Sequence, residues 1–234
     1  TSPSQTHNLS VSGSTGKANY YMAFGYTDKE GQMNFNPDHL KRYNVNANFN
    51  VALTDWLETG IRFNFVNKIY DMPNVGRNTY TYMWRWGSYF GPYGYMRDAN
   101  GEIVDAKNDI AYRKQAGNDH DVTTFTRINS YLKAEIIKGL TLQADFTYDL
   151  TNRNNEYAYL PVYCWNTWGG NISSPSYAVA QSATYQTQTN TKIGRWTTNI
   201  FGSYDVTFNK DHNLKVMAGF TADKEQNRYF NAKR

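Results

Sequence analysis

The sequence predicts an all-β protein with an antiparallel up-and-down sheet, of the kind that closes into a transmembrane β-barrel. Apolar residues recur at every second position over several long stretches, a period that strands show and helices cannot. The connections between these stretches alternate between short turns and long loops. No run of eighteen apolar residues occurs and the mean hydropathy is −0.73, which excludes helical membrane spans.

The clearest alternation lies in residues 42–68, which predict a hairpin. Every odd position from Tyr43 to Leu53 is apolar, and asparagine dominates the even positions between them. After a turn at Thr54-Asp55, the apolar face resumes at the odd positions from Leu57 to Phe65. A polar face made of asparagine rather than Lys and Glu suits a strand that faces a wet barrel interior.

The same pattern predicts eight strands in four hairpins. Their approximate bounds are 7–27, 42–68, 122–151 and 192–223. A loop rich in Gly, Pro, Asn and Asp occupies 28–41, and two long loops occupy 69–121 and 152–191. Outer-membrane barrels have short turns on the periplasmic side and long loops outside the cell. We therefore expect residues 1–234 to form part of one β-barrel domain whose two long loops are extracellular.

The alternation also predicts which side chains face lipid. We expect one set to face outward toward lipid: Phe49, Val51, Phe63, Leu142, Phe146, Ile200 and Val216. We expect a second set to face the interior: Asn46, Asn48, Arg62, Asp145 and Asn199.

Composition narrows the function classes. Aromatic residues make up 16% of the chain, with 20 Tyr and 6 Trp. This is typical of membrane-interface girdles and ligand-facing loops, but also of carbohydrate-binding β-sandwiches. A net charge of +4 that is scattered along the chain does not indicate nucleic acid. The single Cys164 excludes an internal disulfide and a cysteine-based zinc site within this chain. Without an initiating Met or a signal peptide, we expect a mature fragment or an excerpt.

No residue set suggests catalysis. The four histidines (His7, His39, His120 and His212) fall in predicted turns and loops without metal-ligand spacing. We therefore expect no enzyme activity, no cofactor and no metal ion. The stretch 98–102 superficially suggests calcium, but its glycine comes too early for an EF-hand loop. A hairpin turn between Tyr95-Met96 and Ile103-Val104 accounts for it better, and a short helix is possible near 106–116.

The long loops hold the candidate ligand-binding residues. These are aromatic: Trp84, Trp86, Tyr89 and Tyr93 in the first loop, and Tyr163, Trp165 and Trp168 in the second. Flat aromatic faces stack on sugar rings or peptide side chains, and loops at a barrel mouth meet the ligand first. Alternatively, these side chains pack the two loops against each other and against a partner protein.

Four strings resemble barrel segments of the SusC/RagA family, the TonB-linked transporters of the Gram-negative outer membrane. They are HNLSVSGSTGKANYYMAFGYTDKEG (7–31), RYNVNANFNVALTDWLETG (42–60), YLKAEIIKGLTLQADFTYD (131–149) and HNLKVMAGFTADKE (212–225). The resemblance implies a sector of the wall of a large transmembrane β-barrel. Members of this family are several times longer and have a plug domain and a TonB-contacting box that this chain lacks.

The resemblance also implies a location in the outer membrane and a set of partners. These are the lipid bilayer, a SusD-like surface lipoprotein, TonB through a plug domain, and a glycan or peptide substrate, without nucleic acid. Two alternatives remain open. A self-contained small outer-membrane barrel or adhesin requires the first strand to pair with the last. A soluble, aromatic-rich glycan-binding β-sandwich requires solubility without detergent.

Overall fold

The computed structural model describes residues 2–32, 36–74, 95–97, 103–105, 113–161, 163–165, 175–177, 184–209 and 212–234. Within these ranges the chain forms twelve strands and a short helical turn at 113–115. In chain order the strands are β1 (Ser4–Ser14), β2 (Ala18–Glu30), β3 (His39–Ala52), β4 (Leu57–Pro73), β5 (Tyr95–Arg97), β6 (Ile103–Asp105), β7 (Asn118–Ile137), β8 (Leu140–Tyr159), β9 (Tyr163–Trp165), β10 (Pro175–Tyr177), β11 (Tyr185–Phe208) and β12 (His212–Lys233).

Eight long strands form one antiparallel sheet in the order β1-β2-β3-β4-β7-β8-β11-β12. Each strand therefore pairs with its neighbour in the chain, apart from two small two-stranded hairpins, β5-β6 and β9-β10, inserted in the long connections. In the described part of the chain, β1 and β12 are the two edges of the sheet. The predicted eight-stranded up-and-down sheet is confirmed.

The strands are longer than the sequence predicted, so the predicted bounds of the long loops are wrong at both ends. β4 continues to Pro73 and β7 begins at Asn118, while β8 continues to Tyr159 and β11 begins at Tyr185. In these outer halves both faces of the strands carry polar residues, as at Asn152–Glu156 of β8. The alternation that marks a strand in the sequence is therefore lost, although the backbone pairing continues.

Three smaller predictions have clear outcomes. The hairpin around 98–102 is confirmed on both flanks, because Met96 of β5 pairs with Val104 of β6. The helix suggested near 106–116 is a helical turn over 113–115, and residues 106–112 lie outside the described residues. The histidines were placed wrongly in turns and loops: three of them (His7, His39, His120) lie within strands and His212 begins β12.

Strand register places most of the apolar residues of the eight strands on one face. Phe49 pairs with Ile61, Phe63 with Ile128, and Ala144 with Ile200. The opposite face carries the polar partners, such as Asn48 opposite Arg62 and Asp145 opposite Asn199. The two sets of side chains predicted to point to opposite sides of the sheet therefore do lie on opposite faces.

No second layer covers the apolar face within the described residues. Many of its large side chains are widely exposed, from 41% for Tyr204 to 73% for Leu9. Buried hydrophobic side chains in the described part are only Ala116 and Tyr131. A single sheet with an uncovered apolar face is not a sandwich. Among the described residues, no helix is long and apolar enough to cross a membrane.

The apolar face is confined to a band beside the short turns. On β3 it runs from Val51 to Tyr43 and ends at Lys41, and on β8 it runs from Leu140 to Leu150 and ends at Asn152. Beyond the band, the residues with the same orientation are polar. We call this region the apolar band; each strand continues past it toward the long connections.

The short turns are staggered across the sheet, which shows that the strands are tilted. Ala18 begins β2 and pairs with Val51, one residue before the end of β3. Likewise Leu57 pairs with Ala134, three residues before the end of β7, and Leu140 pairs with Tyr204, four residues before the end of β11. The position of the turns therefore shifts by eight residues in total across six spacings between neighbouring strands. With a rise of about 3.3 Å per residue and a spacing of about 4.8 Å, the tilt is roughly 40°, as β-barrel closure requires.

A close approach of three strands stiffens the polar face. The ring of Tyr131 lies over Gly60, and the Tyr131 hydroxyl donates to the Glu58 carboxylate and lies 3.0 Å from Asn50 Oδ1. Tyr131 is 7% exposed. A Cβ on Gly60 would lie 2.5 Å from the Tyr131 ring, so only glycine leaves space for the ring.

We expect Gly60→Ala to lower the free energy of unfolding of the full-length protein by about 1–3 kcal/mol, the usual cost of overpacking. The control is Gly194→Ala, because a Cβ there would meet the Tyr148 hydroxyl at an ordinary 3.6 Å. In a Tyr131→Ala background the cost of Gly60→Ala should fall, and the remainder reflects the Phe49 carbonyl oxygen, which would lie 2.7 Å from the same Cβ. Equal costs for the two alanine substitutions would refute this account of Tyr131.

Candidate functional site

The polar face is concave and forms one continuous surface. Side chains from six neighbouring strands, β2 to β11, line a single open depression of about 740 Å³ that includes Tyr21, Asn46, Arg62 and Arg195. Six strands extend over about 24 Å, so a flat sheet could not bring them around one depression. The sheet therefore curves toward its polar face, as the inner wall of a barrel does.

Neutral amide and hydroxyl groups dominate the middle of this depression. Asn46 and Asn64 are hydrogen-bonded across β3 and β4. Asn129 Nδ2 donates to Thr147 Oγ1 at 2.8 Å, and Arg62 contacts Asn129 Oδ1 at 3.5 Å. Such side chains bond to water or to a polar solute equally well. The arrangement suits a hydrated wall rather than a catalytic centre.

Cross-strand ion pairs hold most of the arginines on the concave face. Arg127 binds Asp149 through two bonds of 2.6 and 2.8 Å, and Arg195 binds Asp223 at 3.1 Å. Arg153 pairs with Asp121 in the same way. Exposed pairs of this kind contribute about 0–1 kcal/mol each. Their main effect is to leave this wall close to electrically neutral.

Arg62 differs from these arginines. No carboxylate pairs with it among the described residues, and its guanidinium lies 5.0 Å from the centre of the Tyr131 ring. The stacking positions the cation within the depression.

A buried arginine ties two connections together at the far end of the sheet. Arg113 is 4% exposed and binds Asp38 at 2.9 Å. Its guanidinium also donates to the Asn36 carbonyl at 3.1 Å, and Asn36 Nδ2 donates to the Arg113 carbonyl at 2.8 Å. Asn36 has a φ of 47°, a conformation that asparagine tolerates well. The β2–β3 loop is thereby attached to the residues that precede β7.

Backbone bonds join the roots of the two long connections. The Asn74 amide donates to the Gly117 carbonyl at 2.7 Å, and the Leu160 amide donates to the Ala116 carbonyl at 3.0 Å. Asn74 is 2% exposed. Gly117 has a φ of +93°, and a Cβ there would lie 2.5 Å from the Ala158 carbonyl oxygen. Glycine is required at this junction, which we call the loop root.

Three tyrosines cluster near the loop root. Tyr159 stacks on Tyr185 at 5.3 Å between ring centres, and Tyr157 lies 6.1 Å from Tyr185. Burial raises the pKa of the Tyr159 phenol, nine residues beyond the apolar band, and Tyr185 adds to the effect. The sequence places Tyr157 and Tyr159 in the aromatic cluster of the second long loop, but Tyr185 was not selected. Tyr185 continues the odd-numbered polar face of β11, and that parity was the signal that could have found it.

The structure tests the positions of few of the predicted ligand-binding aromatics. Five of them (Trp84, Trp86, Tyr89, Tyr93 and Trp168) lie outside the described residues. Tyr163 and Trp165 are in β9, where they pair with Tyr177 and Pro175 of β10. Cα atoms of β6 lie within 8 Å of Cα atoms of β9. The small hairpins of the two long connections are therefore neighbours.

The described residues contain no group of three or more His, Cys, Asp or Glu side chains that could hold a metal ion. His120 is hydrogen-bonded to Asp71 on the face opposite the concave depression.

The fold is that of a sector of a large up-and-down β-barrel, and solved structures with that architecture match it. No protein-family model and no curated protein matches the sequence. The chain is similar to a chain of the RagAB peptide importer in its "open-open" state, with a TM-score of 0.70, 20% identity, and coverage of 99% of this chain and 25% of that one.

Two further structures of the same system match. The RagAB peptide importer in its "closed-closed" state gives a TM-score of 0.63 at 17% identity, covering 99% of this chain and 29% of the other. Another RagAB peptide transporter structure gives 0.65 at 19%, with 99% and 25% covered. This chain thus spans about a quarter of the matched chains. The resemblance to SusC/RagA barrel segments is confirmed at the level of the fold.

We expect Arg113→Ala to open the β2–β3 loop locally, because the substitution leaves Asp38 without its buried partner. Breaking a buried pair costs about 3–5 kcal/mol. Amide hydrogen exchange at Asn36, Asp38 and residues 116–118 of the full-length protein should accelerate strongly. Arg195→Ala, at an exposed pair, is the control and should change exchange near Asp223 only slightly. Unchanged exchange in Arg113→Ala would show that the bonds of Arg113 to Asp38 and Asn36 do not hold the loop.

Proposed function

We propose that this chain is part of the wall of an outer-membrane transporter barrel, with its apolar band against lipid and its concave face toward the interior. The observation that carries the proposal is the size of the band. A band of 9 to 11 residues, tilted by roughly 40°, has a height of about 25 Å. This equals the apolar height of outer-membrane barrels, whose strands need about that many residues to cross.

Aromatic residues at the far edge of the band support this placement. Tyr26 and Tyr43 lie 5.1 Å apart between ring centres on β2 and β3, and Tyr148 and Trp196 lie 4.0 Å apart on β8 and β11. All four belong to the apolar face and precede its polar continuation. Tyr and Trp collect at this level in membrane proteins because their rings are apolar and their polar atoms reach the headgroups.

Two other function classes have less support. A self-contained eight-stranded barrel or adhesin requires β1 to pair with β12, and these strands are opposite edges of the described sheet. A soluble glycan-binding sandwich requires a second layer over Phe49, Ile61 and Ile200, which are about half exposed. Burial of such side chains in water-soluble proteins is strongly favourable. Lipid would remove this apolar face from water, so that no second sheet is needed.

We propose further that the complete transporter imports peptides, the substrate class of the RagAB importer whose chains share this fold. The sequence alone left glycans and peptides as equal alternatives, and the structural similarity favours peptides. A SusD-like surface lipoprotein would cover the mouth, which the long connections form on the extracellular side. The plug domain and the contact with TonB would lie in the part of the transporter that this chain does not include.

In this function the chain performs no catalytic step. The concave face offers amides, hydroxyls and ion-paired arginines, which bind and release polar solutes without forming covalent bonds. Energy for uptake would come from TonB through the plug domain.

We expect Ile200→Arg to destabilise the folded transporter by about 2–4 kcal/mol, the cost of a cation at the lipid face near mid-membrane. Asn199→Arg is the matched control. It is the neighbouring residue, it faces the interior opposite Asp145, and its substitution should cost much less. The measurement is a denaturant titration in lipid vesicles. Equal costs at the two positions would contradict the assignment of the faces.

We expect the double substitution Trp86→Ala and Trp168→Ala to reduce uptake of labelled oligopeptides by cells that carry the complete transporter. Loss of aromatic stacking would weaken capture several-fold, because each aromatic contact contributes about 0.5–1.5 kcal/mol beyond burial. Trp56→Ala is the control, since Trp56 lies in the short turn between β3 and β4. Labelled oligosaccharides in parallel would identify a glycan importer.

The lipoprotein is followed by co-purification from the same cells. If uptake, peptide affinity and lipoprotein recovery all stay at wild-type levels, these aromatics pack the loops and do not belong to the mouth.

A further inference from the structure

A cluster of cations without acidic partners lies on the outward face just beyond the apolar band. Lys192 of β11 is directly opposite Arg228 of β12, and Lys224 of β12 is directly opposite Trp196. All three cations are exposed, and no ion pair involves them in the described part of the chain. We call these three residues the basic patch.

Like charges directly opposite each other on neighbouring strands are destabilising. The other end of the same outward zone shows the ordinary arrangement: Asp28 is opposite Lys41, and Glu30 is opposite His39. In the basic patch the cross-strand neighbours of Lys192 are instead Arg228 and the amide of Asn152. Lys192, which has a strand on each side, therefore faces no acidic side chain directly across from it, and its compensating anion has to come from the surroundings. Arg228 and Lys224 lie on β12, an edge of the described sheet, and no acidic residue of β11 is directly opposite them.

The position of the basic patch identifies those surroundings. Lys224 is two residues past Ala222, the last apolar residue of the band on β12, and Trp196 marks the aromatic edge. Lys192 and Arg228 lie four residues farther along, or about 10 Å higher at a tilt of roughly 40°. Headgroups occupy about 5–7 Å on each side of the hydrocarbon core. Long cationic side chains extend several ångströms from the backbone and reach back toward that level.

We propose that the basic patch binds the phosphate groups of an anionic lipid in the leaflet on the long-connection side. The inference rests on the proposed membrane placement. Lys and Arg neutralise phosphate, and neighbouring amides such as Asn152, Asn190 and Gln226 donate further hydrogen bonds. A lid protein fits less well, because the patch faces sideways, away from the concave face and below the long connections. Acyl chains of the bound lipid lie along Phe146, Thr198 and Ala222.

The test uses the complete transporter in vesicles, with a fluorophore attached to Thr198→Cys in a background without other cysteines. Thr198 faces outward between Phe146 and Ala222. Quenching by phosphatidylglycerol brominated on its acyl chains is compared with quenching by equally brominated phosphatidylcholine. We expect a local preference for phosphatidylglycerol of at least fivefold, since each cation near an anionic surface contributes about that factor.

The triple variant Lys192→Gln, Lys224→Gln and Arg228→Gln should abolish this preference. The matched control removes three cations from the concave face (Lys133→Gln, Lys215→Gln and Lys233→Gln) and should keep it. Should the triple variant not fold, 0.5 M salt added to the wild-type protein should reduce the preference in its place. Added inorganic phosphate at 10 mM should leave the preference nearly unchanged, because a free anion lacks the acyl chains; displacement by it would identify a soluble-phosphate site and overturn the lipid assignment.

The remaining outcomes separate the two proposals. Equal quenching by both lipids would overturn the basic patch as a lipid site and leave the membrane placement intact. Absence of quenching by either lipid would show that Thr198 does not face acyl chains, which overturns the membrane placement as well. A preference that survives in the triple variant would also overturn the proposal.

Discussion

The hydrogen-bond ladder between neighbouring strands is the interaction on which this structure depends. The described residues have almost no buried apolar core, so side-chain packing cannot supply the usual stabilisation of a soluble domain. Pairing is continuous instead, for example from Thr187 opposite Lys233 to Phe208 opposite His212. In lipid an unpaired backbone group costs several kcal/mol. A slip of one residue would also turn every side chain to the wrong face, so the ladder determines both stability and facing.

The part of the fold that was predictable from sequence is the part where the two faces differ chemically. Phe49 beside Asn48 marks a strand because one residue meets an apolar and the other a polar environment. Where both faces meet water, as at Asn154 and Arg153 of β8, the strand persists without a sequence signal. The predicted strands therefore ended near the edge of the apolar band, whereas the backbone pairing continues beyond it.

The features of the candidate site were less predictable, because they depend on residues that are far apart in the chain. Arg113 and Asp38 meet only after β3, β4 and β7 have paired, and nothing local marks Arg113 as buried. Tyr185 joins Tyr157 and Tyr159 through the register of β8 with β11. The ion pairs of the concave face are likewise cross-strand contacts. The face on which each side chain lies could be read from the alternation in the sequence. The contacts between side chains on that face depend on the strand register, which the sequence does not show.

The loop root has a consequence for how such a protein can diversify. Asn74, Ala116 and Leu160 close the ends of both long connections onto each other through the backbone. A backbone junction does not depend on which side chains lie farther out, provided that Gly117 is kept. The part of the first long connection between Asn74 and Arg113 can therefore be exchanged, lengthened or shortened without a mechanical effect on the strands below, as long as the Arg113–Asp38 pair is kept. Recognition at the mouth and stability of the wall can then change independently during evolution, so new specificities can arise on an unchanged sheet.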